Sequence, residues 1–579
     1  MRTYCRAEMK FIDVTALSDA TVTTDDNQSI GSVELFADQT KQSDYGTFEL
    51  NQFVLDGSKS VLPENPKDIA FWNNALSKED CNFETNPKIT VTFQEQHTSV
   101  AITLYFEDEF PAELRITWYT ITGTKLVTET FYPDSLIYVC NTHVQNYGKI
   151  EIEFVKTTFP QRYIKLQYIL YGKYIVWDKD MIQTAKVQED IDVTSATLSI
   201  NEADISIVDM NNDFDVENEN GAWKSVQKMQ EVTLSEHKDG NMIPMGAFFI
   251  DTFSFAKNIS KFKLIDTIGL LDKYIFYDGQ VYNNVRAEVL LIAIFATAGI
   301  KKYTIDKEVG NILLSGYLAI QTCRKALQQV CFACGAVADD SRSDIIKVYK
   351  PDRYVKSTVG TDRKFNGNTK VSLEKYISGV NIEIKNYALE EKTSDIYKKT
   401  LPAGDTKITF SSPYLPSSIT ASAGTLKEVK TNYLIINMPT AGQCQITGVK
   451  YVDTTFSYEK RVDKIEAGET ENIKKYSGCT IYNADILPDI ADYLLGYHTL
   501  RKKVGMKYLV DLEQVGNWAN INSIGGKTST TLIESQTLDL TGGFIASASC
   551  RGYSRVVTED YFAGEGVAIE LYMNGDVIA

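Results

Sequence analysis

The chain has 579 residues, of which 43% are apolar and 23% are charged, close to the usage of ordinary globular proteins. One hydrophobic core does not fill a chain of this length, so we expect roughly four or five domains. The net charge of -17 argues against tight nucleic-acid binding, because that binding needs a basic surface to displace counterions from phosphates.

The lack of a secretory signal and the pattern of cysteines predict a protein of a reducing compartment. The N-terminus has no apolar secretory segment, and the longest apolar run, residues 289–298, is far too short to span a bilayer. We therefore expect a protein that is made in the cytoplasm and has no transmembrane segment. The nine cysteines are odd in number and follow no disulfide framework, which predicts reduced thiols.

The first part of the chain is predicted to be β-structure. Residues 10–15 are predicted to form an opening strand, and the Asp-, Thr- and Ser-rich residues 19–32 a linker. Over residues 30–172, short runs alternate apolar and polar side chains with a period of two, as at Ile116 and Trp118. Turn signals separate these runs and no long helical pattern intervenes, which is typical of a β-sandwich or jelly roll.

The remaining chain mixes longer strands with a few helices. Strands are predicted over residues 193–207 and 248–268, with a hairpin signal at 238–241. Residues 380–480 and 507–572 also have the pattern of strands. Amphipathic periodicity with stop or start signals predicts three helices, at residues 284–298, 319–333 and 485–503. The predicted fold class is mainly β with small α+β parts, in several domains.

Three stretches after residue 172 carry a family resemblance. They are TCRKALQQVCFACGAVADDSRSDIIKVYK at residues 322–350, LDLTGGFIASASCRG at 538–552, and residues 227–250, where an acidic linker gives way to a strand ending in GAFFI. Their pattern and order resemble the hub and tail-tip proteins of phages that infect Gram-positive bacteria, over residues 173–579.

A second resemblance lies in the predicted sandwich. Residues 71–83, FWNNALSKEDCNF, are followed by Asn86, Pro87 and a strand at 89–93. This stretch resembles the discoidin-like carbohydrate-binding modules that interrupt the first barrel of such hubs. The opening strand would then pair with the barrel across the insertion, since the two ends of an inserted domain lie close together.

The resemblance implies a hub subunit with two tail-tube-like β-barrels and an inserted β-sandwich. The predicted division is 1–29 for the first barrel strand and linker, 30–172 for the inserted carbohydrate-binding-like sandwich, 173–275 for the first hub barrel, 276–380 for an α+β domain, 381–480 for a β-rich domain, and 481–579 for a helix with the second barrel. Such a subunit forms a trimeric ring with pseudo-sixfold symmetry on the tail axis.

Partners and location follow from the same resemblance. It implies a homotrimer in the tail tip of the virion, made in the cytoplasm of the host bacterium. The ring would contact a distal-tail or tail-tube ring protein, the tape-measure protein, and a tip or fibre protein, and it would serve DNA ejection. Host cell-wall polysaccharide is a further expected ligand, and specific nucleic-acid binding is not expected.

The residues indicate no catalytic chemistry. The four histidines, at 97, 143, 237 and 498, lack metal-ligand spacing, and there is no GxSxG elbow or Walker loop. Cys331 and Cys334 end an amphipathic helix and are expected to pack in its core. The acidic run at 209–219 lacks the glycine and the glutamate of a calcium loop. We therefore predict a protein that is not an enzyme, with no catalytic residue, no metal and no cofactor.

Candidate carbohydrate-binding residues are those that could stack an exposed aromatic face on a sugar. Strand alternation directs Trp118 inward and Tyr119 outward. Trp72 lies in a loop-like stretch, where it is either a sugar platform or a plug that closes the sandwich. The predicted sugar-binding residues are Trp72, Asn73, Tyr119 and Tyr132.

Two other functions stay open from the sequence. A polysaccharide-degrading enzyme could carry the sandwich as an accessory carbohydrate-binding domain. Paired carboxylates do not support this alternative, because they are abundant anyway in a chain with 76 acidic residues and most belong to solvated faces. A free adhesin is the other alternative, and it would be expected as a secreted chain.

Overall fold

The computed structural model describes residues 3–24, 70–107, 109–210, 212, 214–215, 217–218, 230–365, 367, 369–522 and 528–555. Strands predominate over helices in these residues, and they form several sheets around five separate apolar cores. The predicted fold class, mainly β with several domains, is confirmed. No helix in these ranges is long and apolar enough to cross a membrane.

The chain opens with strand β1 (Thr3–Ile12) and helix α1 (Val14–Asp19). The carboxylate of Asp13 caps α1, because its Oδ1 accepts the backbone N–H groups of Thr15 and Ala16 at 2.9 and 3.1 Å. The strand predicted over residues 10–15 was therefore wrong in its last three residues, since the capping aspartate begins a helix there.

A β-sandwich follows, built from two sheets that enclose an apolar core with Trp118 and Phe154 at its centre. The five-stranded sheet has the order β2-β4-β9-β6-β7 and the four-stranded sheet the order β3-β10-β5-β8. The predicted start of the sandwich, residue 30, lies outside the described residues. The strands are β2 (Thr21–Thr24), β3 (Phe71–Trp72), β4 (Lys88–Ser99), β5 (Ile102–Phe106), β6 (Pro111–Tyr119), β7 (Lys125–Phe131), β8 (Ile137–Cys140), β9 (Val144–Thr157) and β10 (Lys165–Leu170).

The sandwich is inserted between two neighbouring strands. Strand β11 (Gly172–Trp177) pairs antiparallel with β1, so that Ile12 lies opposite Gly172, and the N–H of Asp13 donates to the carbonyl of Tyr171 at 2.9 Å. The chain thus leaves and re-enters at adjacent points, and the predicted pairing of the opening strand across the insertion is present. We call residues 13–171 the module and the rest of the chain the body.

The body begins with a group of long antiparallel strands. Residues 238–241 form the predicted hairpin: Asp239 and Gly240 have φ of 51° and 90°, the two positive values that a type I′ turn requires. The strands after β11 are β12 (Ile182–Asp190), β13 (Glu202–Val208), β14 (Glu231–Lys238), β15 (Asn241–Ala256) and β16 (Ile259–Ile265).

A small α+β part follows, and two of the three predicted helices lie here. The helix predicted from residue 284 begins at Ala287, because residues 281–286 pair as a strand. The elements are α2 (Thr267–Leu270), a 3-10 turn (Leu271–Lys273), β17 (Ile275–Phe276), β18 (Val281–Arg286), α3 (Ala287–Thr297), β19 (Tyr303–Ile305), α4 (Lys307–Gly310), β20 (Leu313–Tyr317), β21 (Gln321–Thr322), α5 (Cys323–Cys334), β22 (Val337–Asp339) and β23 (Ile346–Tyr349).

The last part contains a long two-stranded ribbon and the C-terminal strands. The helix predicted over residues 485–503 ends earlier, because residues 502–509 form a strand. The elements are β24 (Val355–Val359), β25 (Lys370–Leu373), β26 (Gly379–Leu401), β27 (Gly404–Thr409), a 3-10 turn (Pro416–Ser418), β28 (Thr420–Ala421), β29 (Thr425–Val429), β30 (Tyr433–Met438), β31 (Gly442–Arg461), β32 (Ile473–Cys479), β33 (Ile481–Tyr482), α6 (Leu487–His498), β34 (Lys502–Leu509), β35 (Trp518–Asn522), β36 (Thr528–Asp539) and β37 (Ile545–Arg555).

One thirteen-stranded sheet joins the two ends of the body. Its path is β11-β1-β14-β15-β16-β13-β12-β36-β37-β34-β25, with β35 against β36 and β24 against β35. The pairing of β12 with β36 places Glu189 opposite Gln536 and makes one core common to both ends of the chain. The two barrel segments predicted separately therefore share a sheet, and their division into domains stays a prediction.

We expect the body to fold without the module. A variant that lacks residues 13–171, with Ile12 joined to Gly172 by an Asn-Gly turn, keeps β11 paired with β1 and should unfold at nearly the temperature of the intact body. Circular dichroism and thermal melting measure this. A matched deletion of residues 13–177 also removes β11, uncovers the edge of β1, and should aggregate. Equal behaviour of the two variants would contradict the insertion geometry.

Candidate functional site: the module surface and the body junction

Tyr119 lies on the outer side of the five-stranded sheet, as predicted. Leu114, Ile116 and Trp118 alternate along the same strand and are fully buried in the module core, whereas Tyr119 is half-buried on the opposite face. The predicted side-chain directions on β6 are confirmed, because successive side chains of a strand point to opposite faces.

The side chains of Lys149 and Glu151 contact Tyr119. Its hydroxyl donates to Oε2 of Glu151 at 2.9 Å, and the Nζ of Lys149 lies 4.9 Å from its ring centroid. Burial and the bond to Glu151 raise the pKa of Tyr119. Against the effect of burial, the bonds from Lys149 and Tyr119 hold the pKa of Glu151 below its ordinary value. A sugar could stack on this ring only where Lys149 leaves the ring face free.

Trp72 and Asn73 are interior residues. Trp72 is 6% exposed and lies edge-on to Tyr163, with a centroid distance of 5.9 Å. Asn73 is 1% exposed; its Oδ1 accepts the N–H of Ile164 at 2.6 Å and its Nδ2 donates to the carbonyl of Ala75 at 2.5 Å. Neither side chain is exposed to a sugar, so the prediction of these two residues as sugar-binding was wrong, and Trp72 is the plug of its two alternatives.

Tyr132 is an exposed aromatic residue at the outer end of the module. It is 64% exposed and follows β7, whose last residue, Phe131, lies opposite Leu114. Tyr119 lies at the other end of β6, opposite Lys125, about 20 Å away along the strand. The four predicted residues therefore do not form one site: one lies near the body, one at the outer end, and two inside.

The outer end carries further exposed apolar side chains that the sequence analysis did not single out. Leu136, in the connection to β8, and Ile137, the first residue of β8, follow Tyr132 and are both exposed, with Asp134 between them and Tyr132. In the sequence, the signal for this exposed group was the pair of apolar residues that follows Pro133, Asp134 and Ser135. We call Tyr132, Leu136 and Ile137 the outer tip.

His97 contacts the segment with which the chain enters the module, and the spacing of residues in the sequence did not reveal this contact. Its Nδ1 lies 3.1 Å from Oδ2 of Asp13, and its Nε2 lies 2.9 Å from Oδ2 of Asp19. Against the effect of burial, hydrogen bonds from Thr15, Ala16 and His97 lower the pKa of Asp13. A buried imidazole between two carboxylates thus fixes α1 to strand β4 at the start of the module.

A buried ionic junction holds three parts of the body together. The Nε of Arg342, in the connection between β22 and β23, lies 2.8 Å from Oε1 of Glu189 on β12. Its Nη2 donates to the carbonyl of Glu513 at 2.7 Å. The carboxylate of Glu513 is fully buried and accepts two bonds from Arg363, at 3.0 and 2.7 Å. Strand β12, the connection between β34 and β35, and the α+β part thus meet at one guanidinium.

A carboxyl pair lies buried beside this junction. Asp340 accepts the backbone N–H groups of Thr267 and Ile268 through Oδ2 and hydrogen-bonds to Asp266. Burial, followed by the neighbouring carboxyl, raises the pKa of Asp340 well above its ordinary value. Burial also raises the pKa of the adjacent Asp339, to about 6. Burial and the neighbouring carboxyl thus disfavour ionisation of Asp340 at the contact between β16 and the α+β part.

This pair predicts a pH-dependent stability. Because the pKa of Asp340 is raised in the folded chain, the stability that its carboxyl contributes is fully present below about pH 4, the pKa of an unfolded carboxyl. That stability is lost as the pH rises through the pKa of the folded state. Asp340→Asn should raise the free energy of unfolding at pH 8 and flatten its dependence on pH between 4 and 8, because an amide carries no charge to desolvate. Denaturant unfolding across that range measures both.

An exposed carboxyl provides the control for the pH series. Asp344 pairs with Lys302 at 2.6 Å, and this bond lowers the pKa of Asp344. Asp344→Asn should leave the slope between pH 4 and 8 unchanged, because a lowered pKa titrates below that window. A slope that Asp340→Asn does not alter would contradict the assignment of the titration to the buried pair.

The thiols and acidic groups are arranged for packing. All nine cysteines are free, and burial raises the pKa of Cys334 to about 12 and that of Cys331 well above its ordinary value, so neither is a reactive thiolate. In the described ranges no group of three or more His, Cys, Asp or Glu side chains is placed to hold a metal ion.

Comparisons with known proteins give only distant likenesses. No family model matches the chain, and no curated protein matches it in sequence. Among solved structures, a tail protein from Neisseria meningitidis MC58 is 9% identical with a TM-score of 0.39, covering 64% of this chain and 92% of its own. The prophage tail protein gp18 from Listeria monocytogenes EGD-e is 7% identical with a TM-score of 0.38, covering 66% and 91%.

A larger assembly is also similar over most of the chain. The virion of a native gene transfer agent particle contains a chain that is 8% identical with a TM-score of 0.25, covering 95% of this chain and 89% of its own. These scores are low, and no functional conclusion rests on them.

Proposed function

We propose that this chain is a structural protein of a multi-subunit assembly. Its body contains a thirteen-stranded sheet that joins distant segments of the chain, with buried polar contacts between them, and the module is connected to the body at two adjacent residues, Ile12 and Gly172. The described part of the chain offers no reactive thiolate pair and no metal-binding cluster that would suggest a catalytic centre.

The particular role that we propose is the hub of a phage tail or a phage-like injection particle. The observation that carries it is the insertion. Residues 322–350 and 538–552 resemble hub proteins, residues 71–83 resemble the modules that interrupt the first barrel of such hubs, and β1 pairs with β11 across such an insertion. The hub would be a homotrimer on the tail axis, between a tube-side ring protein and a tip or fibre protein, with the tape-measure protein as a further partner.

Mass and symmetry test the hub. The purified chain should have three times its monomer mass of 65.0 kDa by light scattering, and a ring with threefold symmetry by negative-stain microscopy. A chain that stays monomeric at all concentrations, alone and with its tail proteins, would overturn the proposal.

For the module we propose contact with host cell-wall polysaccharide through the outer tip. Tyr132→Ala should weaken binding of the full chain to purified cell-wall polysaccharide by about fivefold, because one stacked ring contributes about 1 kcal/mol. The control is Tyr354→Ala, which removes a tyrosine of the body that is more exposed than Tyr132. Loss of binding with Tyr119→Ala but not with Tyr132→Ala would place the site on the sheet face instead.

A further inference from the structure

The module contacts the body beside the two residues at which the chain connects them. Strand alternation directs Ile102, Leu104 and Phe106 of β5 into the module core, so Thr103 and Tyr105 project from the opposite face of the four-stranded sheet. That face lies against β11, the edge strand of the body. The module therefore has a lateral contact with the body in addition to its covalent connection.

Thr103 forms the part of this contact that lies at the connection itself. Its buried hydroxyl donates to the carbonyl of Gly172 at 2.8 Å and accepts the N–H of Tyr174 at 3.2 Å. Gly172 is the first residue of β11, so these two bonds hold the edge of the module at the point where the chain re-enters the body. A contact made at one point leaves rotation about that point free, and a second contact is needed to fix the angle of the module.

Tyr105 provides that second contact. Its ring lies edge-on to Tyr174 of β11 at a centroid distance of 5.8 Å, and edge-on to Tyr168 of the module at 5.6 Å. Such edge-on pairs of aromatic rings are favourable. Tyr174 is itself held to β1, because its hydroxyl hydrogen-bonds to Glu8 and Arg6. We call the pair of Tyr105 and Tyr174 the clasp.

The clasp contains one unfavourable group. The hydroxyl oxygen of Tyr105 is enclosed, and among the described residues it has no hydrogen-bond partner. A buried hydroxyl without a partner loses its hydration and forms no compensating bond. Rotation of the module away from β11 would return this hydroxyl to water. The described orientation thus combines favourable ring contacts with an unfavourable buried group, a balance that brings a second orientation close to it in free energy.

We propose that the module has two orientations on the body and that the clasp selects between them. In the closed orientation, which the structure describes, Tyr105 packs against Tyr174. In the open orientation the module has rotated about Thr103, the two rings have separated, and the hydroxyl of Tyr105 is hydrated. The rotation moves the outer tip relative to the body, so the clasp controls the direction in which the module presents that tip.

Distances between two spin labels in the full chain test this proposal. One label is placed at Ser135→Cys beside the outer tip and the other at Ser254→Cys on β15, both exposed positions. The half-buried native thiols Cys81 and Cys479 are changed to Ser in every variant, and an excess of unlabelled chain keeps the measured distances within one copy. We expect two distances in the chain with an intact clasp. Tyr105→Phe keeps the ring contacts and removes the unpaired hydroxyl, so it should lower the ratio of open to closed forms by about tenfold.

Two further variants separate the clasp from a general change in packing, and circular dichroism must show the same fold in each. Tyr105→Ala removes the ring contact with Tyr174 and should leave mainly the open distance. Tyr147→Phe removes a hydroxyl inside the module core instead, and should leave the ratio unchanged. A single distance in the chain with an intact clasp would overturn the proposal. A ratio that responds equally to Tyr105→Phe and Tyr147→Phe would also overturn it, because the clasp would then have no special part in the orientation.

Discussion

Arg342→Ala should destabilise the body by about 3 kcal/mol or more. The substitution leaves the carboxylate of Glu189 buried at 1% side-chain exposure without its guanidinium, and it removes the donor to the carbonyl of Glu513. Removing one partner of a buried ion pair costs more than the pair contributes, because the remaining charge has lost its solvation. Denaturant unfolding of the full chain measures the change.

Two comparisons show whether the buried charge is the cause. Lys302→Ala breaks the exposed pair with Asp344 and should cost less than about 1 kcal/mol. The double variant Arg342→Ala with Glu189→Gln should recover part of the lost stability, because it removes the uncompensated charge. If Arg342→Ala costs no more than Lys302→Ala, the junction does not hold the three parts of the body together.

Trp118→Ala should destabilise the module by about 3 to 5 kcal/mol, because it empties a large volume in the centre of a closed sandwich. Hydrogen exchange of β4, β6 and β9 in the full chain reports this local loss, and exchange in the body should not change. The neighbouring Tyr119→Ala removes a side chain from the outer face and should cost less than about 1 kcal/mol. Equal losses for the two variants would contradict the direction of side chains on β6.

Some features were determined by the sequence itself. The period-two pattern of β6 fixed the burial of Trp118, because alternation of side chains is a property of the extended backbone and needs no knowledge of the partner strand. The hairpin at Asp239 and Gly240 was predictable for a similar reason, since the residues that tolerate positive φ define the turn. Local backbone preference was sufficient in both cases.

Other features depended on the tertiary structure alone. The periodicity of a strand does not identify its partner, so the pairing of β12 with β36 was not predictable, nor was the contact of Glu189 with Gln536 across 347 positions. The role of Trp72 was also open in the sequence, which allowed either an exposed sugar platform or a plug that closes the sandwich. Its packing against Tyr163 shows that it is the plug. Arg342 and Asp340 were ordinary charged residues in the sequence, and only their burial between distant strands makes them important for stability.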